Sequence, residues 1–146
     1  VSSRRSVRKS CIERGTNRYA VILKDYMDLF YGDVGLAAIL YVFECATNRK
    51  MRALKASVDT SQPWVEAPVN LICYRLLGIS TAEKVMANIE ILERLGILSV
   101  QRPGIGMKNL YLLHTEVIAE MIRSGKKFNR NAELEALSLE KEGAAV

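Results

Sequence analysis

Between Val69 and Leu113 the chain reads VNLICYRLLGISTAEKVMANIEILERLGILSVQRPGIGMKNLYLL, and its start and stop signals fall in an order that few folds accommodate. The order is helix, short turn, helix, glycine stop, strand, turn and strand. Gly78 is placed to end the first helix, because a residue without Cβ enters the left-handed region at little cost. Ser80 with Glu83 three positions later gives the capping-box spacing, so the second helix is predicted to open there. Val85, Ile89, Leu92 and Leu95 recur at helical spacing and define one apolar stripe. Gly96 stops that helix. Ile97 to Val100 is β-prone, Arg102-Pro103-Gly104-Ile105-Gly106 turns the chain, and Leu110 to Leu113 returns as a second strand.

The flanks support a small helical domain around this core. Tyr19 to Leu23 is a short β-prone run, and Tyr26 to Tyr31 is predicted helical. Asp33 is suited to cap a helix from Val34 to about Thr47, apolar on nearly every face and therefore central. Asn48 to Pro63 reads as a long basic linker carrying Arg49, Lys50, Arg52 and Lys55. Trp64-Val65-Glu66 is a candidate third strand beside the hairpin, and Pro68 suits a first helical turn. After the hairpin, Thr115 to Ile122 forms a helix ended by Ser124-Gly125. Ala132 to Glu142 forms a short last helix that could cross to a partner chain. The expected organisation is a flexible basic arm over 1–18, the main domain with flanking helices over 19–124, and a linker with a short helix or tail over 125–146.

Length and composition fit one domain: 146 residues, 49% hydrophobic and 25% charged. The longest apolar run, Val34 to Phe43, contains Gly35 and falls well short of the roughly 20 residues that cross a bilayer, so no membrane partner is expected. The amino terminus lacks the charged, apolar, small-residue order of a signal peptide. It opens on Val, which reads as a processed chain or a piece of a longer protein. Cys11, Cys45 and Cys73 are odd in number and none forms a CxxC pair, which favours a reducing, cytoplasmic setting. The net charge of +5 resides in residues 1–18, where Arg4, Arg5, Arg8, Lys9, Arg14 and Arg18 face one acid, Glu13. Such an arm either neutralises phosphates or is a solvated tail.

The helix from Thr81 to Leu95 is the element that would enter a major groove. With Val85, Ile89 and Leu92 turned inward, Thr81, Lys84, Ala87, Asn88 and Ile91 are expected on the outer side. Asn88 could pair with adenine in bidentate fashion, and Lys84 with phosphate or guanine. Glu83, Glu90 and Glu93 make this helix acidic, so phosphate contacts are expected elsewhere. Arg102 and Lys108 on the turn lead that group, followed by Arg49, Lys50, Arg52, Lys55 and Arg75. Gly104-Ile105-Gly106 lies between strands with no helix after it, so it is not a phosphate loop. His114 stands without a visible serine or carboxylate pattern, and no catalytic, metal or cofactor site is expected.

The carrying residues AAILYVFE, PWV, LLGISTAEKVMANIEILERLGIL and NLYLL resemble the winged-helix domains of bacterial, plasmid and phage proteins of replication initiation or transcription control. The resemblance spans about Val34 to His114. It implies a mainly α fold with a small β-wing, a winged helix-turn-helix with flanking helices. It also implies base reading by Thr81, Lys84 and Asn88, and backbone contacts by Arg102 and Lys108. The expected function is double-stranded DNA binding in transcription or replication control, with helix 81–95 in the major groove, wing 101–109 on the backbone, and a homodimer as the working form. The alternative is a protein–protein scaffold in a replication, division or regulatory complex, which the acidic helix favours.

Overall fold

The computed structural model describes residues 22–144, so the basic arm and most of the Tyr19–Leu23 run lie outside the described residues. Within them the chain is mainly helical, with one small three-stranded antiparallel sheet.

Helix α1 (Lys24–Leu29) is a short stretch that buries Tyr26 and Leu29. Tyr31 (φ 52°) and Gly32 (φ 80°) then reverse the chain. Asp33 caps α2, its carboxylate accepting from the Leu36 amide at 2.9 Å. Helix α2 runs Val34–Ala56, well past the expected end at Thr47. The basic stretch read as a linker is helical because NRKMRALKA contains no glycine or proline and is rich in strong helix formers. Its two halves differ. Leu36, Ala37, Ala38, Ile39 and Leu40 are all buried, whereas Asn48 to Ala56 is exposed apart from a half-buried Leu54.

After a loop, β1 (Val65–Glu66) leads to α3 (Val69–Arg75), with Pro68 at the N-cap. This helix stops at Arg75, and Leu77 (φ 55°) with Gly78 (φ 78°) makes the reversal. Helix α4 (Ala82–Arg94) is capped by Thr81, whose hydroxyl accepts from the Lys84 amide at 3.3 Å. The expected cap, Ser80, is instead buried beside Gly35. A Cβ on Gly35 would lie 3.1 Å from Ser80 Oγ and 3.2 Å from Asn88 Nδ2. The missing side chain is thus what lets the start of α2 meet the turn and α4 so closely.

Gly96 (φ 78°) ends α4, and β2 (Leu98–Gln101) and β3 (Leu110–Leu113) form the hairpin. The sheet order is β1-β3-β2, with Val100 opposite Tyr111 and Val65 opposite the same tyrosine. Tyr111 is buried, and its ring lies 5.0 Å from that of Phe43 in a tilted pair, fastening the sheet to α2. Helix α5 (Thr115–Arg123) buries Ile118 and Met121. The linker returns over α1, where the Phe128 amide donates to the Leu29 carbonyl at 2.8 Å. Helix α6 (Arg130–Ala144) then lies on α4. Among the described residues, no helix is long and apolar enough to cross a membrane.

Leu92 is fully buried where α4 meets the rest of the core. Leu92→Ala should therefore cost about 2–5 kcal/mol of folding stability, read as a lowered urea midpoint with an unchanged slope.

Candidate nucleic-acid interface

The residues expected to read bases do not share one environment. Thr81 and Lys84 are exposed in the first turn of α4, and Ala87 is half-buried. Asn88 and Ile91 are buried, at 2% and 0% exposure, which corrects the expectation that they face outward. Two causes act together. The core-facing stripe is wider than Val85, Ile89 and Leu92, because Asn88 packs against the Gly35 end of α2. The adjoining flank is covered by α6. Arg130 Nε donates to Asn88 Oδ1 at 2.8 Å, so the side chain expected to pair with adenine is already bonded within the chain.

The covering seam is largely ionic. Arg94 pairs with Glu133 and, at 3.0 Å, with Glu140, while Lys141 Nζ lies 3.0 Å from Glu90. Leu134 and Leu137 add a thin apolar strip against the core. Residues 130, 133, 134, 137, 140 and 141 recur three or four apart and form one helical face. That periodicity was the available signal for the seam, and Glu90 and Arg94 were the complementary charges to match it with. The last helix therefore packs on its own chain in this structure.

What remains open on α4 is the first turn and an acidic ridge. Ala82, Glu83 and Met86 are exposed, and Glu90 and Glu93 are half-buried. The cations of the hairpin lean back toward acids. Arg102 forms a fork with Glu93 at 3.0 and 3.2 Å, and Lys108 Nζ lies 4.0 Å from Glu66. The Glu93 hydrogen bonds also raise the Arg102 pKa by stabilising the charged guanidinium. Both pairs are solvent-exposed, where such pairing contributes little to stability and can be exchanged for another anion.

Arg49, Lys50, Arg52 and Lys55 stand on the exposed carboxyl-terminal half of α2. About 21 Å of helix separates Gly35 from Arg49 at the α-helical rise, so this group is distant from Asn88. It also divides around the helix. Arg49 and Lys50 face a cavity shared with Arg75 of α3, whereas Arg52 and Lys55 border a second, more apolar hollow with Met51, Val58 and Pro63. None of these five cations has an ion-pair partner among the described residues.

His114 is not isolated, contrary to the sequence reading. Ser99 Oγ lies 2.7 Å from its Nε2, and Glu116 Oε1 lies 3.7 Å from its Nδ1. These groups come from β2, the end of β3 and the start of α5, so the constellation forms only on folding. Neither Ser99 nor His114 lines the cavities described above, and the contact ties the strand end to α5. Cys45 and Cys73 are half-buried free thiols.

Comparison with protein-family models, curated proteins and solved structures returns no match.

Arg94 is the hub of the α6 seam, with two carboxylates on one partly exposed guanidinium. Arg94→Ala should weaken α6 docking by about 1 kcal/mol after allowing for solvent screening. Amide exchange in residues 131–142 should then accelerate about five-fold, while exchange in residues 36–43 stays unchanged.

Proposed function

We propose that the chain is a winged helix-turn-helix protein that binds double-stranded DNA in transcription or replication control. The element order α2, β1, α3, α4, β2, β3 and the β1-β3-β2 sheet agree with that fold reading. The observation that carries the functional reading is unpaired positive charge. Arg49, Lys50, Arg52, Lys55 and Arg75 make no contact ion pair among the described residues, only Lys50 being near enough to a carboxylate, Asp59, to join the Ser61 hydrogen bonds in lowering its pKa, whereas many acids elsewhere are matched. Such cations are suited to phosphates.

In this reading the first turn of α4 supplies base contacts through Thr81 and Lys84, because recognition helices use their amino-terminal residues. Arg102 and Lys108 exchange Glu93 and Glu66 for phosphate oxygens. Asn88 supports the helix from below instead of reading adenine. A homodimer would present two such turns and offset the limited reach of one. Free thiols at Cys45 and Cys73 accord with a cytoplasmic setting.

A second reading rests on the acidic ridge. Glu83, Met86, Glu90 and Glu93 suit a basic protein partner better than a phosphate backbone. The fold would then be a scaffold in a larger assembly.

Fluorescence anisotropy with a random duplex across a salt series separates the two. DNA binding predicts affinity that falls steeply with salt, by about 0.9 log units per tenfold rise for each phosphate contact. Arg49→Ala with Arg52→Ala should lower affinity at least tenfold and reduce that slope by about 1.8. Absence of duplex binding at low salt would sink the DNA reading and favour the scaffold.

A further inference from the structure

The cavity between α2, the loop before β1 and α3 has a composition that the duplex reading does not require. It has a volume of about 730 Å³, within the range of small-ligand sites. Arg49 and Lys50 from α2 and Arg75 from α3 give it three cations, and Trp64 gives it an aromatic wall. Val42, Ala46 and Leu71 add apolar lining. Its two acids do not cancel these three cations: Asp59 accepts from the Ser61 amide at 2.9 Å and feels the Lys50 charge, which helps to lower its pKa, and Glu66 lies 4.0 Å from Lys108. The charge left unmatched in the cavity is therefore positive.

We propose that this cavity binds a nucleotide, with its phosphate among Arg49, Lys50 and Arg75 and its base against Trp64. Two guanidinium forks and an ammonium suit the doubly charged oxygens of a phosphomonoester. A phosphate alone would leave the apolar wall wetted, whereas a planar base covers it and stacks on the indole. Ser61 and Gln62 at the rim supply hydrogen-bonding groups for the sugar or base edge. The same chemistry is offered by a free nucleotide and by the 5′-phosphorylated end of a single strand. An intact duplex keeps its bases stacked inside and cannot fill the site. The inference thus stands apart from the duplex reading, although Arg49 and Arg75 would meet phosphate in both.

Trp64 is the only tryptophan in the chain, so its emission reports on this cavity alone. The full chain is titrated with AMP, with inorganic phosphate and with a 5′-phosphorylated single-stranded tetranucleotide, and duplex binding is measured separately. The expected result is a saturable change in Trp64 emission with AMP or the tetranucleotide, the tighter of the two identifying the source. Inorganic phosphate should bind at least tenfold more weakly. Arg75→Ala should weaken the nucleotide at least tenfold, and Arg123→Ala, an equal loss of charge elsewhere, should not. Ala46→Leu fills the apolar wall without touching a charge. It should weaken the nucleotide at least tenfold while leaving duplex affinity and the thermal midpoint close to the parent.

No saturable response to either nucleotide ligand at millimolar concentration overturns the inference, as does equal affinity for inorganic phosphate. Parent-like nucleotide binding by Arg75→Ala overturns it as well. Duplex binding without any nucleotide response refutes the cavity alone. A nucleotide response without duplex binding refutes the DNA reading alone.

Discussion

Burial of the first half of α2 is the constraint on which the remaining structure depends. Leu36 to Leu40 are five consecutive residues with essentially no exposure, a condition a surface helix cannot meet. Cover must arrive from every side, and it does so from α1, α3, α4, β1 and β3, each of which contacts this helix. The Phe43–Tyr111 ring pair extends the same requirement to the sheet, so a sheet of short strands is held by packing more than by its own ladder. Gly35 sets the distance of approach at the other end. The orientation of α4 is therefore fixed from α2 outward, and the exposed first turn of α4 is a consequence of how the core closes.

The sequence made the alternation of helix, turn and strand legible because each boundary had a local chemical cause. Gly96 and the Arg102–Gly106 turn act within a few residues, and β2, β3 and α4 fall close to where periodicity puts them. The extension of α2 through Asn48–Ala56 is hidden by charge density, which reads as a linker, although nothing in that stretch breaks a helix. The cap shifted from Ser80 to Thr81 because tertiary packing draws Ser80 beneath Gly35, a contact between residues far apart in sequence. Asn88 failed for a similar reason. One helix's periodicity shows where its own apolar stripe lies but not what a later helix will cover.

Helix α6 changes the meaning of α4 more than any other feature. Without α6, α4 would offer Asn88, Ile91 and Arg94 along one flank. With α6 in place, Asn88 is bonded to Arg130, Ile91 is sealed, and Arg94 is held by Glu133 and Glu140. The seam relies on ion pairs and only two leucines, so its strength depends on ionic strength more than core packing does. Phe128, tied to Leu29 by its amide, nonetheless sets where the helix begins and limits how far it can move without disturbing α1.

The distribution of paired and unpaired charge argues for where an anionic partner would approach. On α4 and the hairpin, Arg94, Arg102 and Lys108 each lie against a carboxylate that a phosphate would have to displace, and Lys84 alone makes no ion pair there among the described residues. At the end of α2 no such exchange is needed, because Arg49, Arg52 and Arg75 have no carboxylate to release. Lys55 in the last turn of α2 and Arg75 in the last turn of α3 also gain from the peptide dipoles, worth about 0.3–1 kcal/mol each when exposed, so their placement has a structural reason as well. That reason does not extend to Arg49, which lies about two turns before the end of α2 and faces the same cavity as Arg75. Convergence of cations from two elements beside an unpaired aromatic wall is what separates a binding surface from a solvated helix end.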